Sequence, residues 1–86
     1  MSNPVPQFAI RQLILELAMQ RGPGKTLCPS EVARAWDSAA WRAWMPAVRE
    51  AAFALAEEGR VVITQRGRPV DRTARGPIRI ALKATQ

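Results

Sequence analysis

From Gln7 to Arg21, apolar side chains return every three or four positions, at Ile10, Leu13, Ile14, Leu17 and Ala18. That spacing predicts a helix with one apolar stripe. Gly22-Pro23-Gly24 closes it, because glycine accepts the left-handed C-terminal position and proline cannot continue the helix. Lys25-Thr26-Leu27 predicts a short extended stretch, enough for one rung of a sheet. A second helix opens at Pro29, whose fixed φ suits the first helical position. Glu31 stands where the acidic member of a capping box belongs. Cys28 occupies the cap itself and lacks the oxygen that accepts the first free N–H, so this cap is weak. Val32, Ala33, Ala35 and Trp36 supply the apolar side, and Asp37-Ser38 interrupts the pattern.

Ala39 to Trp44 reads as a turn or a short helical segment, with Met45-Pro46 leading into a long helix that ends at Glu58. Its core face is Val48, Ala51, Ala52 and Leu55, which leaves Arg49, Glu50, Phe53 and Glu57 facing away. After Gly59 the period shortens to two: Val61 and Ile63 alternate with Val62 and Thr64, and Ile78, Ile80 and Leu82 alternate with Arg79, Ala81 and Lys83. The stretch from Arg66 to Pro77 is too long and too basic for a tight turn and reads as an extended loop joining two antiparallel strands. Helix, short strand, helix, helix, strand, loop, strand is the order of a winged helix-turn-helix. The expectation is an α+β fold of three helices and a small antiparallel β-hairpin, the wing. Eighty-six residues support one hydrophobic core. A single domain over 7–83 is therefore expected, with 1–6 and 84–86 as frayed ends.

Charge sharpens this picture. Through Gly59, six basic residues (Arg11, Arg21, Lys25, Arg34, Arg42, Arg49) offset six acidic ones. From Arg60 onward seven basic residues stand against Asp71 alone, so the whole net charge of +6 lies in the last third. Such asymmetry points to a polyanionic partner, provided the seven cations converge on one outward surface. No apolar run approaches the ~20 residues that span a bilayer. No signal-peptide pattern opens the chain, and one cysteine makes no internal disulfide. A cytoplasmic location without membrane contact is the expectation. With no histidine, no tyrosine and one cysteine, the usual metal sets and nucleophile–base pairs cannot be assembled. Gly22-Pro23-Gly24-Lys25 lacks the spacing of a phosphate loop. Neither enzymatic activity, nor a cofactor, nor a metal is expected.

The strings Cys28-Pro29-Ser30-Glu31-Val32-Ala33-Arg34, Trp41-Arg42 and Met45-Pro46-Ala47-Val48-Arg49 resemble a small bacterial domain family of unknown function. The resemblance continues through Gly59-Arg60-Val61, Ile63-Thr64-Gln65, Gly67-Arg68-Pro69-Val70-Asp71 and Gly76-Pro77-Ile78-Arg79, covering roughly Ile10 to Leu82. That family is similar to winged-helix DNA-binding domains. The resemblance implies a fold and supplies no substrate, cofactor or catalytic residue.

The candidate nucleic-acid contacts are Arg66, Arg68, Arg72 and Arg75 on the wing and Arg79 on the outer face of the next strand. The guanidinium fork suits phosphate oxygens and can enter a narrow minor groove, and Gly67 and Gly76 would allow close backbone approach. The bland reading is a solvated basic loop. Near the start of the third helix, Arg42, Trp44, Ala47 and Arg49 are the plausible groove contacts, while Glu50 and Glu57 would repel phosphates. Contact dominated by the wing, with DNA favoured over RNA and a role in transcriptional regulation, is the expected function. The alternative is a protein-interaction adaptor. Phe8, Leu15 and Met19 form a second stripe on the first helix. This stripe is either a second buried side or the contact of a homodimer or other partner. Trp36, Trp41 and Trp44 read as core fillers between the second and third helices.

Overall fold

The computed structural model describes residues 5–83. Three helices, α1 (Gln7–Arg21), α2 (Pro29–Trp36) and α3 (Trp41–Glu57), accompany four short strands. The strands are β1 (Thr26–Leu27), β2 (Val61–Gln65), β3 (Arg68–Pro69) and β4 (Arg79–Leu82). They form one antiparallel sheet in the order β1-β4-β2-β3. The result is an α+β fold whose arrangement is compatible with a winged helix. Of the expected frayed ends, 1–4 and 84–86 lie outside the described residues, whereas Pro6 is tied in by the Ile10 N–H donating to its carbonyl.

The core lies between the helices and one face of the sheet. Register puts Val61 and Ile63 of β2 beside Leu82 and Ile80 of β4, and Leu27 of β1 opposite Ile80. Their shared face meets Ile10, Ile14, Ala18, Val32, Val48, Ala51 and Leu55, all fully buried. α1 packs at once on α2, α3, β1 and β4, so one stripe is not enough for it. Leu15 is also buried, at 6% exposure. Ala35, expected on the apolar side of α2, is exposed. Glu31 does not close a capping box either: it reaches back to Arg21, whose other N–H donates to the Thr26 carbonyl at 2.8 Å.

Two expectations about segment boundaries are corrected. Of the stretch Ala39 to Trp44, read as a turn or a short helical segment, Trp41 onward is helix and no break follows: α3 starts at Trp41 and runs through Met45-Pro46. Proline at the sixth helical position removes only the bond to the Arg42 carbonyl. The turn before it is fixed by Asp37, whose carboxylate accepts the Ala40 N–H at 3.2 Å and the Trp44 indole N–H at 3.1 Å. Trp44 in turn meets Trp36 edge-to-face at 5.5 Å, worth ~1 kcal/mol beyond the area the rings bury.

The second correction is the wing. A tight hairpin does form: Gln65 pairs with Arg68 and Thr64 with Pro69, leaving a two-residue loop at Arg66-Gly67. Both loop residues have positive φ, 51° and 81°, the type I′ geometry that matches the twist of paired strands. Asn-Gly is its favoured filling, so Gly67 fits and Arg66 does not. An arginine in the left-handed region costs ~1–2 kcal/mol. The chain then returns as a separate segment, residues 70–78, to β4. Arg66→Asn is expected to raise stability by ~0.5–1 kcal/mol, whereas Gly67→Ala is expected to lower it by about as much. Urea unfolding of the two variants should move the midpoint in opposite directions.

Candidate nucleic-acid interface

The wing is built around a return segment with no ladder of its own. Four consecutive carbonyls, Ala74 to Pro77, are taken by two side chains that approach from different elements. Arg49 of α3 donates to Ala74 at 2.6 Å and Gly76 at 2.9 Å. Gln65 at the end of β2 donates through Nε2 to Arg75 at 2.6 Å and Pro77 at 3.1 Å. Gly76 turns at φ 91° between them. A tight Asp71–Ala74 turn precedes this stretch: the Ala74 N–H donates to the Asp71 carbonyl at 2.9 Å. The Asp71 carboxylate accepts the Thr73 hydroxyl and the Thr73 N–H. The hydroxyl, then the backbone N–H, hold the Asp71 carboxyl below its ordinary value.

Between the hairpin and the pinned return segment lies a cleft of about 850 Å³ lined by Gln65, Arg66, Arg68, Val70, Arg75, Pro77 and Arg79. Four of the five wing candidates therefore meet around one concave surface. Arg66, Arg68 and Arg75 are exposed and donate no side-chain hydrogen bond among the described residues. Arg79 lies on the outer sheet face, where its Nε donates to the Thr26 hydroxyl at 2.9 Å.

Arg72 behaves differently. Its Nε and Nη2 donate to the two oxygens of Glu57 at 2.6 and 2.8 Å, and Nη1 donates to Glu50 at 2.8 Å. The paired carboxylates push the guanidinium pKa further up, and the hydrogen bonds from Arg72 hold Glu57 below the usual carboxyl value. Two negative charges surround one positive, so Arg72 does not offer a free cation. Not all seven late cations converge either. Arg60 and Lys83 sit at the far end of the β2–β4 ladder, where the Lys83 N–H donates to the Arg60 carbonyl at 3.2 Å. The intervening strand puts them ~20 Å from the hairpin tip.

The face of α3 expected to be open is covered in part: Phe53 is buried and Arg49 half-buried, while Glu50 and Glu57 stay exposed. Arg49, Glu50 and Glu57 hold the return segment, and Phe53 is buried at 3% exposure with the Arg49 guanidinium 5.5 Å from its ring. Arg49 is therefore a positioning residue, its donors spent on the wing. Arg42 remains exposed near the helix start, while Trp44 and Ala47 are half-buried. The three tryptophans pack against the core as expected. The second stripe on α1 divides: Leu15 joins the core, while Phe8 and Met19 stay 75% and 65% exposed. Gln65 was missed by sequence reasoning, because nothing in an alternating strand marks a side chain that will bond a distant loop. Arg34 was missed too. It stands over Trp41 together with Arg42, at 4.4 and 4.5 Å from the ring centroid. Among the described residues no group of three or more His, Cys, Asp or Glu could hold a metal, and no helix is long and apolar enough to cross a membrane.

Fold and site together define a small α+β protein, compatible with a winged helix, that carries an arginine-lined cleft beside its hairpin. Residues 7–83 match the family described as "Protein of unknown function (DUF3253)", and the chain belongs to that family. No curated protein matches the chain.

The lowered Glu57 and Asp71 carboxyls fix a pH dependence. A carboxyl whose pKa is lowered by folding stabilises fully above its ordinary value and loses that contribution as pH falls through the lowered value. Starting from ordinary values of 4.5 and 3.8, the turn at Asp71–Ala74 should hold at neutral pH and loosen only below that range. Amide protection factors at Thr73 and Ala74, measured by NMR from neutral pH into acid, should fall there while those of Leu55 persist. Arg72→Ala should lower the same two factors already at pH 7.

Proposed function

We propose that this chain is a nucleic-acid-binding module without chemistry of its own, and that double-stranded DNA is the nucleic acid it takes. The observation that carries this reading is the arginine-lined cleft: four arginines border one concavity, and three of them, Arg66, Arg68 and Arg75, have no partner among the described residues. Like charges gathered on one small loop repel, and folding gains nothing from them. Phosphodiester oxygens supply the missing complement, since a guanidinium binds them through a planar, charge-assisted fork. Arg66 strengthens the argument. It occupies a left-handed turn position that disfavours it and has no hydrogen-bond partner among the described residues, so its presence is better explained by something outside the chain.

DNA is favoured over RNA by the shape of the hairpin. A single arginine projecting from a two-residue tip suits the narrow minor groove of B-form DNA, whose negative potential draws such a side chain in. The wide, shallow minor groove of A-form RNA offers it less. Glu50 and Glu57 keep the C-terminal half of α3 acidic, so the wing dominates the contact, with phosphate and groove shape read more than base edges.

The test is binding to duplex DNA across a salt series. Each neutralised phosphate contributes about 0.9 to the slope of log K against log salt. Replacing Arg66, Arg68 and Arg75 with Ala should make the slope shallower by ~2.7 and weaken all duplex sequences alike. Arg72→Ala should leave the slope nearly unchanged, because Glu50 and Glu57 already neutralise that charge. Unaltered binding by the triple variant would reject the cleft as the interface, and equal affinity for duplex RNA would reject the preference for DNA.

A further inference from the structure

A second cationic cluster sits at the junction of α2 and α3. Arg34, from the last turn of α2, and Arg42, from the first turn of α3, both stack over the Trp41 indole. Both are exposed, and neither forms an ion pair or donates a side-chain hydrogen bond among the described residues. The acidic group of the turn, Asp37, is occupied by the Ala40 and Trp44 N–H groups.

Stacking uses the face of a guanidinium and leaves its in-plane N–H fork open. It also holds a flexible side chain in place before any ligand arrives, which lowers the ordering cost of binding. Two cations over one half-buried ring repel each other, and the core requires only one filler there. The ligand that fits two exposed, unpaired guanidinium groups held beside one ring is an anion with several acceptor oxygens. Trp41 is a poor platform for a base, because its ring is half-buried and two guanidinium groups already lie within 4.5 Å of its centroid.

Position ties this cluster to the wing. Arg42 precedes Arg49 by seven residues, so the two share a face of α3 about 10 Å apart. Arg49 grips the carbonyls on either side of Arg75, which lines the cleft. One surface therefore leads from Arg34 and Arg42, along the start of α3, to the hairpin.

We infer that Arg34 and Arg42, held on Trp41, form a second phosphate-backbone anchor for the same DNA duplex, distinct from the wing cleft. The inference rests on the proposed DNA binding and adds a site to it. The full chain, Arg34→Ala/Arg42→Ala, Arg34→Lys/Arg42→Lys and the triple wing variant would be titrated with a duplex of about two helical turns and with the matching single strand, by fluorescence anisotropy at several salt concentrations. Circular dichroism would check that each variant folds, which exposure of both arginines favours. The double alanine variant should bind the duplex at least ~10-fold more weakly, with a salt slope shallower by about 1.8, irrespective of sequence. The double lysine variant should keep the slope, because charge is retained, and lose part of the affinity, because the stacked fork is gone. Unchanged affinity and slope in the double alanine variant, with the triple wing variant weakened, would overturn the second anchor and leave the wing reading intact. A selective loss of single-strand binding would also overturn it, in favour of base contact at Trp41. If the unaltered chain fails to bind duplex DNA at low salt, both readings fall together.

Discussion

The wing depends on four carbonyl groups. Backbone oxygens from Ala74 to Pro77 belong to a segment that is neither helix nor strand, and unpaired backbone groups against a protein surface are costly. Arg49 takes the first and third, and Gln65 takes the second and fourth. Alternate carbonyls of this stretch, which turns at Gly76, go to different partners, so one segment is fastened to α3 and to β2 at the same time. That double fastening gives the cleft a second wall. It also explains why Phe53 is buried: the segment that Arg49 and Arg72 hold covers a face of α3 that would otherwise meet solvent.

Arginine thus serves two different ends within a few ångströms. Arg49 and Arg72 spend their donors on the protein itself, one on carbonyls and one on carboxylates. Arg66, Arg68 and Arg75 spend none among the described residues. A count of positive charges by position treats these five alike. What separates them is geometry: whether an acceptor of the chain's own lies within reach of the fork. Glu50 and Glu57 decide the matter for Arg72, because they lie seven residues apart on α3 and can close on it together.

Much of the fold was legible in the sequence because periodicity reports burial directly. The apolar spacing along α1, the switch to alternation after Gly59 and the glycine stops place three helices and the β2–β4 pair without any tertiary information. The errors have physical causes. Met45-Pro46 looked like a helix start, yet Trp44 and Asp37 fix the helix a turn earlier, and Pro46 gives up one intrahelical bond inside it. The span from Arg66 to Pro77 looked like one loop because Arg66 masks a turn that Asn-Gly would have announced. Phe53 was misplaced because α3 buries more than one side, which a single stripe cannot convey, and of the two readings left open for the second stripe of α1 Leu15 takes the buried one. In the site, the clustering of charge was visible, but its division was not. Contacts between different elements leave no local trace, so the bonds of Gln65 and Arg49 to the return segment and the Arg34 contact on Trp41 emerge only when the elements are assembled.

The Arg66-Gly67 loop also acts as a gauge of length. Side chains on a strand alternate between faces, so the number of residues in the loop sets which face Arg68 and Pro69 present. With two residues, Gln65 stands opposite Arg68, and both border the same hollow. One residue more or fewer would invert that parity, turning Arg68 to the reverse side while leaving composition and net charge almost untouched. Natural variation in the chain should therefore tolerate changes of side chain at the tip far better than changes in its count.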